Sequence, residues 1–233
     1  MALIQAENLT KVYGRGNTAV IALDHVNVSV NAGEFVAIMG PSGCGKSTLL
    51  HLLGGLDRAS EGRVVIDGHA LTDLSDTDLT KLRRRKLGFI FQFFNLIPVL
   101  SSIENVALPL TLDGASASLA RAQAIAWLKK VGRGDRLSNR PDQLSGGQQQ
   151  RVAVARALVA EPALVLADEP TGNLDSRASA EIASLLRQIA DEWGRAVVIV
   201  THDADVAARA DRMIYLRDGR VVESPEKVEV HAA

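Results

Sequence analysis

The chain of 233 residues is short of most features that announce a function directly. It has one cysteine, Cys44. A lone thiol cannot close an internal disulfide, so a stapled fold is excluded and a reducing compartment fits. No apolar run approaches the ~18 residues of a membrane span. The longest runs, such as "AVVIV", suit buried strands. The opening "MALIQAENLTKVYG" lacks a basic start followed by an apolar core, so no secretory leader is expected. Neither sign of charge is in excess: 26 Lys and Arg against 27 Asp and Glu leave a net charge of −1. That balance gives no general pull toward nucleic acid. Repeats, low-complexity blocks and long linkers are also missing. The remaining composition, 47% hydrophobic and 23% charged, is that of an ordinary globular chain. Its length suits one large α/β domain or a domain with a subdomain.

Short apolar runs alternate through the first ~35 residues ("VIALDHVNVSV") and predict antiparallel strand. "EFVAIMG" reads as a buried strand running into glycines, and "KSTLLHLLGGL" as a helix. "GRVVIDG" is a further strand, closed by Asp67-Gly68. The strand signal fades over residues 93–160. There "ASLARAQAIAWLKKVG" and "GGQQQRVAVARALVA" predict helices, hence a helical insert. Strands return at "ALVLADE" and "AVVIVTH". Between them Ile182, Leu185, Leu186, Ile189 and Trp193 share one helical face. "RMIYLRDGRVVES" predicts a hairpin turning at Asp-Gly. Strands alternating with helices argue a mostly parallel, covered sheet.

Residues 40–47, "GPSGCGKS", fit the phosphate-loop pattern G-x-x-x-x-G-K-[ST], with a strand before and a helix after. In such a loop Gly40, Pro41, Ser42, Gly43, Cys44 and Gly45 turn backbone N–H groups toward a phosphate. Lys46 reaches the β- and γ-phosphates, and the Ser47 hydroxyl ligates Mg²⁺. Cys44 has two readings, simple packing or a thiol made acidic by the helix start and Lys46. "ALVLADEP" delivers Asp168 and Glu169 at the end of a buried strand, where α/β folds bind ligands. Adjacent strand residues point opposite ways, which would aim Asp168 at Mg²⁺ and Glu169 at an attacking water. Solvated acids at a strand end are the alternative. Gln92 and His202 close two other strands and Asp175 follows the acidic pair, all on the same expected edge. Gln92 could report on Mg²⁺ and water, and His202 could bond a γ-phosphate oxygen. Each could equally be structural. Tyr13 could stack on a base or simply pack.

A second phosphate-like composition, "LSGGQQQRVAVARAL", starts at Leu144. With it, the order and spacing of the phosphate loop, Gln92, "LVLADEP", "NLD" and "VTHD" resemble an ATP-binding cassette (ABC) ATPase over about residues 3–224. The resemblance implies one cassette over residues 1–233. Its fold would be an α/β P-loop NTPase with a RecA-like core, an antiparallel β subdomain and a helical subdomain at about 93–160. It implies adenine stacking by Tyr13 and phosphate and Mg²⁺ binding by Gly40 to Ser47 with Thr48. Gln92, Ser47 and Asp168 would serve the metal, Glu169 the base role and His202 the switch role, with Gln92 also in the catalytic set and Asp175 among the nucleotide-binding residues. Ser145, Gly146, Gly147 and Gln148 would meet ATP held by a second copy, the helix N-terminus aiming its positive end at that charge. The chain would then work as a homodimer on ATP.

"GFIFQFFNLIPVLSSIENVALPL" and "ADEPTGNLDS" resemble the macrolide-efflux and lipoprotein-release subgroup. That implies a four-span permease partner with a large extracytoplasmic domain, and a peripheral place on the cytoplasmic face of the membrane. Segment 93–109 would line the groove for the permease, or be core. The basic run at 81–86, "KLRRRK", reads as a solvated helix face or as a lipid contact. Rival functions are a cell-division signalling cassette and a soluble ABC machine acting on nucleic acid. The second usually needs a coiled-coil or zinc insertion, of which no heptads or cysteine clusters give a sign.

Overall fold

The computed structural model describes residues 2–223. In chain order the regular elements open with β1 (Ala2–Tyr13), β2 (Val20–Asn31), β3 (Phe35–Met39) and α1 (Lys46–Leu53). They continue with β4 (Glu61–Ile66), β5 (His69–Ala70), α2 (Asp76–Lys86) and β6 (Leu87–Phe91). Three helices follow, α3 (Ser102–Leu112), α4 (Ala117–Lys130) and α5 (Gly146–Leu158). The chain closes with β7 (Leu164–Asp168), α6 (Ser176–Asp191), β8 (Ala196–Val200), α7 (Ala204–Ala207), β9 (Arg212–Arg217) and β10 (Arg220–Val222).

Two sheets result. The first is antiparallel, in the order β2-β1-β4-β5. The second runs β10-β9-β3-β8-β7-β6, parallel except for the edge strand β10. The strands β3, β7 and β8 are apolar along nearly their whole length and buried on both faces, as a covered parallel sheet requires. The two Asp-Gly turns close as expected. Asp218 (φ 47°) and Gly219 (φ 75°) join β9 to β10, and Asp67 (φ 49°) and Gly68 (φ 79°) join β4 to β5. Two consecutive positive φ values match the strand twist, and asparagine, aspartate and glycine tolerate them best.

Two cores flank the parallel sheet. One joins a sheet face to α1 and the antiparallel sheet, through residues such as Ile38, Leu49, Leu53 and Val200. The other joins the opposite face to α4, α5 and α6, through Phe35, Leu128, Val154 and Leu186. The helical insert therefore shares a continuous apolar interior with the sheet. At this seam Trp127 of α4 meets Trp193, just after α6, edge to face at 5.0 Å.

One helix of the insert, α3, is not announced by apolar periodicity. It begins with a capping box: Ser101 Oγ accepts the Glu104 N–H, while the Glu104 carboxylate accepts the Ser101 N–H at 2.8 Å. The basic run on α2 is occupied within the fold. Arg84 and Arg85 share Asp113, Lys86 pairs with Asp67, Lys81 pairs with Asp78, and Arg83 donates to the Gly55 carbonyl.

Candidate functional site

Four parallel strands bring their C-terminal ends to one edge, and each hands over to a polar segment there. After β3 the loop 40–45 leads into α1, whose N-cap is Gly45 in the left-handed region (φ 100°). A β-carbon on Gly45 would sit 2.3 Å from the Ala22 carbonyl oxygen, so glycine is required twice over. Lys46 is only 8% exposed, and its ammonium donates to the Gly40 and Pro41 carbonyls at 2.8 Å each. The loop thus curls around the lysine head at the positive end of α1. Ser42 and Gly43 are exposed on its rim, and Thr48 follows in the first helical turn. The Cys44 side chain turns the other way, into the core around Leu49 and Leu216. Burial raises its pKa and outweighs the pull of Lys46, so the acidic-thiol reading is not what the structure shows.

Ser47 Oγ donates to Asp168 Oδ1 at 3.0 Å, joining the phosphate loop to the end of β7. The neighbouring Glu169 corrects one expectation. It does not alternate with Asp168 along a strand, because β7 ends at Asp168 and Glu169 takes a left-handed conformation (φ 44°). A turn, rather than strand pleat, sets its direction. Its carboxylate accepts from His202 Nδ1 at 3.0 Å, across from the end of β8. Gln92 follows β6. Its amide donates to Asn173 Oδ1 at 3.4 Å, and Asn173 Nδ2 donates back to the Gln92 carbonyl at 3.1 Å.

Tyr13 ends β1 some way along the chain from this edge. Its hydroxyl donates to Asp57 at 2.8 Å, and Lys11 both pairs with Asp57 and lies 4.8 Å from the ring. Burial works against ionisation of Asp57, yet the Lys11 and Tyr13 bonds hold its carboxyl below the usual range. The ring is thereby fixed while remaining largely exposed, a platform for a flat partner.

"LSGGQ" is built differently. Ser145 caps α5, and Gln148 closes a capping box: its side chain accepts the Ser145 N–H at 3.0 Å, while Ser145 Oγ accepts the Gln148 N–H. The S-x-x-Q spacing carries that signal in the sequence. The glycines permit close approach. A β-carbon on Gly146 would meet Leu174 at 3.3 Å, and one on Gly147 would meet Ala178 at 3.0 Å. Asp175 caps α6 by accepting the Ala178 N–H at 2.8 Å. These residues cluster beside Asn173 and Leu174. No hydrogen bond among the described residues joins them to the loop at 40–48.

Segment 93–109 divides in two. Ile103 and Val106 are core, whereas Phe93 (72% exposed) and Val99 (71%) stand in solvent. Leu108 and Pro109 line a groove of about 460 Å³ with Leu87, Phe89, Phe91 and Arg156. Arg156 donates to the Phe94 and Asn95 carbonyls, where both residues have positive φ. Arg156, Asn173 and Gln150 are site neighbours that the sequence pattern does not single out. Their partners lie between 20 and 81 residues away in the chain.

The family model described as ABC transporter matches residues 23–172. An uncharacterized ABC transporter ATP-binding protein of Methanocaldococcus jannaschii is 51% identical over 230 residues, 97% of each chain. The lipoprotein-releasing system ATP-binding protein of Alcanivorax borkumensis is 48% identical over 93% of this chain and 95% of its own. The macrolide export ATP-binding/permease protein of Hyphomonas neptunium is 49% identical over 94% of this chain, which spans 34% of that protein. A dimeric post-hydrolysis structure of the Methanocaldococcus cassette, bound to ADP and Pi, superposes with a TM-score of 0.86 at 48% identity. It covers 94% of this chain and 96% of its own.

Proposed function

The chain belongs to the ABC transporter family of ATP-hydrolysing cassettes, and from that premise we propose that ATP-driven pairing of two copies moves a separate transmembrane permease. The observation that carries this reading is the pair of 3.0 Å contacts, Ser47 with Asp168 and Glu169 with His202, set at neighbouring strand ends beside Lys46. A phosphate cradle, a metal-side acid and a histidine-paired carboxylate are what hydrolysis of a bound nucleoside triphosphate needs.

In this reading Tyr13 stacks on the adenine. The loop from Gly40 to Thr48 wraps the phosphates, and Lys46 exchanges its two bonds to loop carbonyls for phosphate oxygens. Ser47 and Asp168 are two hard oxygen donors already side by side, which suits Mg²⁺. That ion takes few protein ligands and completes its shell with phosphate and water oxygens. Gln92 supplies a further oxygen to the ion, which when bound spreads the charge of the β- and γ-phosphates. Glu169 accepts the proton of the attacking water, and His202 orients that carboxylate through its Nδ1–H. Ser145, Gly146, Gly147 and Gln148 complete the site of the other copy.

The macrolide-export relative is named as an ATP-binding/permease protein and the lipoprotein-releasing relative as the ATP-binding protein of its system, which supports a membrane permease as the cassette's partner. The exposed Phe93 and Val99 and the groove lined by Leu108 and Pro109 face such a partner. The partner is of the four-span type with a large extracytoplasmic domain. In this reading the partner holds the cassette at the cytoplasmic face of the membrane; no described helix is itself long and apolar enough to cross one.

Substituting Glu169→Gln tests the assignment. The amide cannot accept the proton, so turnover is expected to fall by about 100-fold or more. ATP binding persists, and an ATP-bound dimer accumulates on gel filtration run in Mg-ATP. Turnover near that of the unmodified protein removes Glu169 from the base role.

A further inference from the structure

"LSGGQQQR" contains a residue that neither the phosphate chemistry nor the helix cap uses. Gln150 lies in the second turn of α5 and is 0% exposed. Its amide donates both protons, to the Pro170 carbonyl at 2.5 Å and to the Phe91 carbonyl at 3.3 Å. Its own Oε1 is buried and has no hydrogen-bond partner among the described residues. The amide is fixed in this sense by its acceptors. Turned over, it would press its oxygen against two carbonyls and lose both bonds. A buried acceptor is left unmet so that two backbone oxygens can be held.

Those two oxygens flank the residues of the reaction. Phe91 ends β6 and precedes Gln92; Pro170 follows Glu169. The strand ends are neighbours, with Phe91 in register opposite Asp168. Glu169 is in a left-handed conformation that a residue with a side chain keeps only where its surroundings impose it. Its N–H donates to the Val200 carbonyl at 2.9 Å, and its own carbonyl accepts the Gly172 N–H at 3.0 Å. Gln150 provides a third fixed point on the very next carbonyl, and it reaches there from a different element.

We infer that Gln150 is a positioning residue for ATP hydrolysis, holding the Glu169 turn and the root of the Gln92 loop in register with α5. The inference rests on the proposed base role of Glu169. It gives α5 two ends of one task. Its first residues face the nucleotide of the partner copy, and its second turn fixes the carboxylate that serves the nucleotide of its own. Seating of Ser145 at one site is thereby transmitted to Glu169 at the other through a rigid helix, with no moving loop between them.

The test compares the purified full chain with its Glu169→Gln and Gln150→Leu variants. Leucine keeps a buried side chain of similar bulk and removes both donors. The expected result for Gln150→Leu is a kcat lower by about 10- to 100-fold with the KM for ATP within about twofold. An ATP-bound dimer should accumulate in Mg-ATP, as for Glu169→Gln, because binding and pairing continue while the chemical step stalls. A residue that only filled the core would lose nucleotide binding and pairing together with turnover. A kcat within about twofold of the parent, or lost turnover without a trapped dimer, overturns the inference provided Glu169→Gln still traps one. If Glu169→Gln neither slows turnover nor traps a dimer, the base assignment falls and takes this inference with it. Should Gln150→Leu not fold, Gln150→Asn decides. Its amide, one methylene shorter, reaches one carbonyl, and kcat should fall by about two- to tenfold at unchanged KM. Parental kcat in that variant overturns the inference.

Discussion

Gly45 shows how little freedom the phosphate loop leaves to a single residue. Its φ of 100° is strained for any side chain, and the Ala22 carbonyl occupies the space a methyl group would need. Gly45→Ala is therefore expected to destabilise the fold by about 1–3 kcal/mol and to weaken ATP binding by about tenfold or more, because the loop must move to relieve the clash. Thermal unfolding and nucleotide titration of the same preparation check both halves. Parental values for both would mean the loop has slack that the structure does not show. At this scale the sequence was informative wherever chemistry follows from residue type and local spacing. The loop at 40–47, Asp168 with Glu169, and His202 at a strand end could all be named from it. It was silent on Asn173 and Gln150, whose partners are far along the chain, and no local spacing encodes such a contact. It also misdirected the geometry of Glu169. Strand alternation stops at Asp168, and a positive φ on a glutamate leaves no mark in the letters.

Among elements, Asp211 ties three together. It precedes β9, accepts the first N–H of β3 from Phe35 at 2.8 Å, and accepts from Arg187 of α6 at 2.8 Å. The Phe35 N–H, and after it Arg187, hold its carboxyl below the ordinary aspartate range against the opposing effect of burial. A depressed carboxyl contributes stability that is present above the unfolded pKa and is lost as pH falls through the folded one. Asp211→Asn removes that dependence. The parent should lose stability more steeply than the variant as pH drops below about 4, while being the more stable near neutrality. Denaturant midpoints across pH check this, and parallel curves would deny Asp211 the role. Elements with strong signals were legible: the apolar strands, the Asp-Gly turns and the single apolar face of α6. Helix α3 was not, because Pro109 sits within it and its apolar residues form no clear stripe, although its S-x-x-E start from Ser101 to Glu104 is a capping-box signature. Its place is set by Ser102 and Ile103, whose N–H groups donate to the distant Asn139 and Leu137 carbonyls at 2.8 and 3.0 Å, while the Ser102 hydroxyl also donates to Asn139 at 3.0 Å. That is tertiary information.

For the whole molecule the question is why two segments of phosphate-cradling composition, at residues 40–48 and 144–148, stand apart in one chain. If each serves a different copy, damage to one segment can be complemented by a partner damaged in the other. Ser145→Arg should block hydrolysis yet leave the monomer able to bind ATP, and Lys46→Ala should lose nucleotide binding. Mixed together, the two chains form one sound composite site and one doubly damaged one. ATP-driven dimerisation should then return where neither variant alone shows it. No dimer on mixing, or loss of ATP binding by the Ser145→Arg monomer, would place the signature within its own chain. Between such sites the molecule has one seam, where the helical insert leans on the parallel sheet. Both of its tryptophans lie there, in contact across the seam at 5.0 Å and 82°. Its ultraviolet emission thus originates at a single location. Two indoles that close exchange excitation and so depolarise each other's emission to a degree set by their spacing and tilt, and a shear of insert against sheet is written into the fluorescence anisotropy of the unlabelled protein.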